Sequence, residues 1–109
     1  RSLRPEQMVG AALYVTLVPQ KATVIDTRPV EAFEAWHWPG ATRRDLDDLE
    51  SRFRSLDRSE TYVLCCAEGI RTAYVAELMQ RQGYEAYSFL GGAPGMRRVR
   101  SRTTPRMAE

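Results

Sequence analysis

The sequence is short of the residues that staple or decorate small domains. It has two cysteines, Cys65 and Cys66, and they are neighbours, so a bridge between them closes almost no loop and strains the intervening peptide. A disulfide framework is therefore excluded, and a reducing compartment, the cytoplasm, is the natural setting. His37 is the single histidine. With two adjacent cysteines it cannot supply the spaced ligand set of a structural zinc site, and neither a metal nor another cofactor is expected. No apolar stretch approaches the ~20 residues that cross a bilayer. The opening Arg1-Ser2-Leu3-Arg4-Pro5 lacks the apolar core of a secretory signal and does not begin with methionine, so the chain reads as a domain cut from a longer polypeptide or as a processed chain. The net charge of +2 is too small to argue for nucleic acid by itself.

What is present fits one compact domain. A chain of 109 residues, 43% of them hydrophobic, buries a modest core. The charge is unevenly spread: Asp45, Asp47, Asp48 and Glu50 cluster mid-chain, whereas Arg97, Arg98, Arg100, Arg102 and Arg106 fall near the end. Residues 97–109 read as a basic tail beyond a domain of residues 1–96. Such a tail can touch RNA phosphates or an acidic partner; the plainer reading is a solvated, frayed terminus.

The pattern along the chain alternates. An opening helix is expected over Pro5–Leu13, with Pro5 suited to its first turn, then a short buried strand over Ala22–Ile25 and a helical turn over Val30–Ala35. Asp45 can cap a helix that places Leu46, Leu49, Phe53 and Leu56 on one side. Tyr62–Cys65 reads as the central strand. A helix over Thr72–Gln82, with Ala73, Ala76 and Met79 facing inward, stops at Gly83. A strand at Ala86–Phe89 and a helix at Pro94–Val99 complete the pattern. Strands separated by helical segments imply an α/β fold, a mostly parallel sheet with helices on both faces, and ligands of such sheets sit beyond the carboxyl ends of the strands. Asp26 and Cys66 both lie at such ends.

Cys66-Ala67-Glu68-Gly69-Ile70-Arg71-Thr72 joins the central strand to the helix that follows. A short loop entering a helix points several backbone N–H groups inward, and with the helix dipole these stabilise an anion at its centre, such as a thiolate. Gly69 permits a turn with positive φ, and Arg71 can close the ring with a permanent charge. The plain alternative is a small buried hydrophobe at a strand end. The loop alone leaves both readings open.

The spacing of Cys66, Gly69 and Arg71 resembles the active-site loop of the rhodanese-like sulfurtransferases. Three further blocks follow the same family's order: Asp26-Thr27-Arg28 with Glu31-Ala32-Phe33, then His37-Trp38-Pro39-Gly40-Ala41, then Leu90-Gly91-Gly92. Together the blocks cover about residues 22 to 96. The resemblance implies a rhodanese-like fold and a mechanism in which Cys66, as a thiolate, takes sulfane sulfur from a donor, holds it as a persulfide and passes it to an acceptor, cradled by Ala67, Glu68, Gly69, Ile70, Arg71 and Thr72. Asp26, Arg28, Glu31 and His37 are supporting residues. Asp26 and Arg28 are read as an ion pair bracing the rim, Glu31 as joining that pair or serving a helix start, and His37 as a structural hydrogen bonder rather than a general base. Cys65 falls on the other side of the strand and is expected in the core.

The chain departs from the family pattern at Trp36, where glycine is usual, at Arg43, where asparagine is common, and at Met96, near a frequent tryptophan. The related phosphatases need one more residue between cysteine and arginine than Cys66 and Arg71 leave. A non-catalytic binding module of the fold would normally lack the cysteine. The Tyr84–Gly92 segment is similar to the C-terminal rhodanese-like domain of the tRNA 4-thiouridine synthetase family, which implies a sulfur relay toward tRNA thiolation or thiazole biosynthesis. The donor is then thiosulfate or a protein persulfide such as that of a cysteine desulfurase; RNA contact follows only within a tRNA-modifying chain, and no membrane partner is expected.

Overall fold

The computed structural model describes residues 12–103. Five strands form one sheet: β1 (Tyr14–Val15), β2 (Thr23–Asp26), β3 (Thr42–Arg43), β4 (Thr61–Cys65) and β5 (Glu85–Phe89). Their spatial order is β1-β5-β4-β2-β3, and every pairing is parallel. Among the described residues, four α-helices connect or close them: α1 (Val30–Ala35), α2 (Leu46–Arg52), α3 (Ile70–Arg81) and α4 (Gly92–Thr103), with a 3-10 turn at Phe53–Ser55 after α2.

The alternation of side chains along each strand divides the interior into two cores. Ile25, Tyr62, Leu64 and Ala86 meet Leu49, Phe53, Val75, Ala76 and Met79 on the face covered by α2 and α3. Val24, Val63, Cys65 and Phe89 meet Ala93, Met96 and Val99 of α4 on the other, with Trp36 and Trp38 packed at its margin. A parallel sheet buried on both faces has apolar strands throughout, and in β4 the four residues Tyr62, Val63, Leu64 and Cys65 are all buried.

The expected α/β architecture is the observed one, with several boundaries moved. Residues 1–11, where nearly all of the expected opening helix falls, lie outside the described residues. Its last expected residue, Leu13, is not helical. Its carbonyl accepts the Ser88 N–H at 2.9 Å, which leads the chain into β1 at the sheet edge. β1 and β3 have two residues each, too few for any periodicity to announce. The helix capped by Asp45 breaks into a 3-10 turn at Phe53, and Asp45 makes no side-chain cap; its carboxylate pairs with Arg43 at 2.8 Å instead. Finally, α4 begins at Gly92 and runs to Thr103, so residues 97–103 of the expected tail are helical. Burial of Val99 fixes that segment to the sheet, and Arg100 and Arg102 in the last turn suit the negative end of the helix dipole. Residues 104–109 lie outside the described residues.

Tyr84 anchors the turn after α2. Its buried ring stacks edge-on to Phe53 and Tyr62, and its hydroxyl donates to the carbonyls of Phe53 and Leu56 at 2.9 and 2.8 Å. Tyr84→Phe removes the donor these carbonyls share. It is expected to lower unfolding free energy by about 1–3 kcal/mol, read as a reduced urea midpoint with an unchanged slope.

Candidate active site

The parallel register brings the carboxyl ends of β2 and β4 level, with Asp26 opposite Cys65, and the chain leaves β4 directly into the Cys66 loop. The carbonyl of Cys66 turns outward and accepts the Ala93 N–H in the first turn of α4 at 2.9 Å. This contact requires Gly92, because a Cβ there would lie 2.5 Å from the Ala67 carbonyl oxygen and 2.6 Å from that of Cys66. With these carbonyls directed at α4, the loop's N–H groups are left to face the sulfur. Gly69, at φ 89°, is the residue before α3, and its N–H donates to Cys66 Sγ at 3.0 Å. A side chain at Gly69 would be strained by that φ and would also press within 2.8 Å of the Phe89 carbonyl.

Helix α3 starts two residues earlier than the sequence pattern indicates, and the difference matters for chemistry. Thr72 becomes the third helical residue. Side chains at that position lean back toward the helix N-terminus, and the Thr72 hydroxyl donates to Cys66 Sγ at 3.4 Å. Burial pushes the Cys66 thiol up, but the hydrogen bonds from the Thr72 hydroxyl and from the N–H groups of Thr72, Glu68 and Gly69 outweigh it and hold the thiol below its ordinary value. Cys65 behaves oppositely. Fully buried among Val24, Val63 and Phe89, its thiol is pushed up to about 12, first by burial and then by the Asp26 carboxylate. Two adjacent thiols thus differ by environment alone: one is held below its ordinary value and the other is pushed well above it.

Cys66 lines a pocket of about 150 Å³ together with Thr27, Arg28, Leu46, Ala67, Glu68, Ile70 and Arg71. That volume is well below the range of roughly 300–1,000 Å³ typical of sites for drug-sized ligands, so it admits a small anion or the tip of one side chain. Arg71 does not close the ring on sulfur. Its side chain stands exposed at the rim and makes no hydrogen bond or ion pair among the described residues, and the same holds for the Glu68 carboxylate. The sulfur anion is therefore served by dipoles, and the Arg71 charge is left for whatever enters.

The supporting residues separate into a latch and bystanders. Arg28 grips the buried carboxylate of Asp26 through Nε at 3.0 Å and Nη2 at 2.8 Å, and the same Nη2 donates to the Trp36 carbonyl. Arg43 donates to the Arg28 carbonyl at 2.8 Å. The arginine in the usual asparagine position thus extends the latch, and Met96 fills the α4 core. Trp36 and Trp38 lie beneath the guanidinium groups of Arg97 and Arg100, 5.8 and 5.7 Å from their ring centres. His37 is stacked on Phe33, ring centres 3.8 Å apart, and its Nδ1 is 2.8 Å from the Phe33 carbonyl; it does not line the Cys66 pocket. Glu31 sits in the first turn of α1, favourable for the dipole, and joins no ion pair among the described residues.

Two contributors escape the sequence pattern. Gly92 is visible there only as part of a turn. Ser88 is a fully buried hydroxyl on the same face of β5 as Ala86, and it lies 2.8 Å from Thr72 Oγ1. A polar residue in the inward phase of an apolar strand was the one available signal for it.

Residues 12–98 match the family model described as "Rhodanese-like domain". Among curated proteins, a tRNA sulfurtransferase of Pyrobaculum aerophilum is 36% identical over 87 residues, which are 80% of this chain and 16% of that protein. The chain thus spans about one sixth of that relative's length. Among solved structures, a rhodanese homolog of Thermus thermophilus superposes with a TM-score of 0.57 at 26% identity, covering 86% of this chain and 98% of that one. A rhodanese-related protein of Thermoplasma volcanium gives 0.62 at 19% identity over 96% and 95% of the two chains, a likeness of fold.

Thr72→Val tests the cradle directly. It deletes one of the donors that favour the anion, so the alkylation midpoint of Cys66 moves to higher pH and iodoacetamide labelling at neutral pH slows. An unchanged pH profile would show that the hydroxyl contributes nothing to the thiolate.

Proposed function

Because the chain belongs to the rhodanese-like domain family, we propose that it transfers sulfur through a persulfide on Cys66. The observation that carries this reading is the pair of donors on a single sulfur, the Gly69 N–H at 3.0 Å and the Thr72 hydroxyl at 3.4 Å, at the wall of a pocket too small for a larger substrate. In the first step the Cys66 thiolate attacks the outer sulfur of the donor. A new S–S bond forms at Sγ, the donor's own bond to that sulfur breaks, and the donor leaves with the electron pair, as sulfite from thiosulfate or as a thiolate from a protein persulfide. In the second step an acceptor nucleophile takes the outer sulfur and Sγ recovers its electron pair. Negative charge stays within the ring of N–H groups throughout, which is electrostatic preorganisation, and no separate base is required once the thiol is ionised.

The rim favours a protein donor. Glu68 places a negative charge where a dianion must enter, beside Arg71, whereas a persulfide on a protein brings one exposed sulfur and a broad surface. The groove beside Arg28, lined by Trp36, Arg97 and Arg98, extends that surface for an acidic partner. A cysteine desulfurase fits the donor role, and a tRNA uridine or a thiazole precursor fits the acceptor role in a sulfur relay; the Pyrobaculum relative is named a tRNA sulfurtransferase. The reading places the domain in the cytoplasm; no helix among the described residues is long and apolar enough to cross a membrane.

Cys66→Ser is expected to abolish transfer from either donor and to prevent the sulfur adduct of about +32 Da that mass spectrometry of the loaded parent is expected to show, whereas Cys65→Ser keeps most activity. Equal loss in both variants, with folding intact, would refute the single nucleophile. Glu68→Gln is expected to raise kcat/KM for thiosulfate several-fold, with the gain shrinking at high salt because exposed charges are screened, while transfer from a desulfurase persulfide changes much less. Unchanged thiosulfate turnover would show that rim charge does not select the donor.

A further inference from the structure

The two hydroxyls behind the thiol have more contacts than protons. Thr72 Oγ1 lies 3.4 Å from Cys66 Sγ and 2.8 Å from Ser88 Oγ. Ser88 Oγ lies in turn 2.8 Å from the Gly69 carbonyl oxygen, which can only accept. Three contacts therefore connect Cys66 to Gly69 through two hydroxyls, all of them buried.

When Cys66 is a thiol, three protons fill the three contacts in one direction. The S–H donates to Thr72, Thr72 donates to Ser88, and Ser88 donates to Gly69. When Cys66 is ionised, only two protons remain. Thr72 turns its proton to the sulfur, and Ser88 must choose between the Gly69 carbonyl and Thr72. Either choice leaves two oxygens 2.8 Å apart with lone pairs opposed and no proton between them, in a buried site where water does not relieve the contact.

We propose that Ser88 is a positioning residue that acts through Thr72 to restrain ionisation of Cys66, by making the buried hydroxyl chain complete only when Sγ is neutral. The inference rests on the reading of Cys66 as the sulfur-carrying nucleophile for its use in the cycle. Once Sγ carries an outer sulfur it becomes a neutral bridging atom and a poor acceptor, so Thr72 returns its proton to Ser88, both 2.8 Å oxygen contacts are filled again, and the contact without a proton is the longer one of 3.4 Å between Sγ and Thr72. The outer sulfur is left to the loop N–H groups. The pair thus disfavours the bare thiolate relative to both the resting thiol and the loaded form, and binding of sulfur at Sγ relieves the opposed oxygens.

The charged groups around the thiol are Asp26, paired with Arg28 at the end of β2, and Glu68 and Arg71 at the rim; Cys65 is the neighbouring titratable thiol. None of them hydrogen-bonds to Thr72 or Ser88 side chains among the described residues, so substitution at Ser88 leaves them in place.

The test is the pH profile of Cys66 alkylation by iodoacetamide, read by mass spectrometry on the whole chain, for the parent, Ser88→Ala, Thr72→Val and the double variant. Ser88→Gly, which removes the same oxygen, is carried in parallel so that a folding defect in one variant does not decide the result. Removing the Ser88 oxygen is expected to move the midpoint to lower pH and to speed labelling below the midpoint by about twofold to threefold. In the Thr72→Val background the same removal is expected to change nothing. A profile unmoved by loss of Ser88, a shift to higher pH, or an equal shift in both backgrounds would overturn the proposal. The readout does not depend on sulfur transfer: loss of persulfide formation with the midpoint shift intact would sink the functional reading and leave the relay standing.

Discussion

The bond from the Ala93 N–H to the Cys66 carbonyl is the constraint on which the site depends. A peptide unit has one donor and one acceptor pointing in opposite directions, so turning the Cys66 carbonyl out toward α4 turns the Ala67 N–H of the same peptide the other way, and the Ala67 carbonyl, which lies against Gly92, does the same for the Glu68 N–H that favours the thiolate. The first turn of a helix has N–H groups with no partner inside the helix, and the Cys66 carbonyl satisfies one of them. The same contact thus satisfies an N–H at the start of α4 and fixes the orientation of the peptide that opens the loop. It also explains why the last helix, far along the chain from Cys66, is packed against the Cys66 loop, and why Gly92 leaves no room for a methyl group.

Around this contact the molecule separates electrostatic tasks. Dipoles that do not titrate face the sulfur, while full charges are either neutralised against one another, as in Asp26 and Arg28, or kept at the rim, as in Glu68 and Arg71. Arg28 joins the two levels, since it holds the Asp26 carboxylate, supports the Trp36 carbonyl and lines the pocket of Cys66. The tryptophans flanking His37 are in turn covered by arginines of α4. The rim is thereby tied to the same helix that orients the loop.

The parts legible from the sequence were those carried by many residues or by local chemistry. β4 is announced by Tyr62-Val63-Leu64-Cys65, and the tight loop into the next helix by Cys66, Gly69 and Arg71. The two-residue strands β1 and β3 carry no periodic signal; their pairing is decided by the neighbouring strands β5 and β2. Asp45 looks like a cap, but Arg43 offers its carboxylate a charged partner two residues away. α3 starts earlier than the pattern indicates because Ile70 and Arg71 read as loop, and the helix expected to end at Val99 continues to Thr103 because a run of arginines carries no apolar period to mark its end. Ser88 and Gly92 matter only through residues distant along the chain, Thr72 and Ala67, and such juxtapositions exist only once the sheet has brought their elements together.

The opposite facing of Cys65 and Cys66 has a consequence for the lifetime of any sulfur placed on the chain. In many dithiol sites a second thiol attacks the first once it is oxidised or sulfurated, closing a disulfide and discharging the cargo. Here the adjacent thiol is sealed in the α4 core, protonated, and joined to Cys66 by a peptide too short to bring the sulfurs together without strain. Among the described residues there is no other cysteine. In the proposed cycle, release therefore depends on a nucleophile arriving from outside the domain, which makes the timing of discharge a property of the encounter with the acceptor rather than of the domain itself.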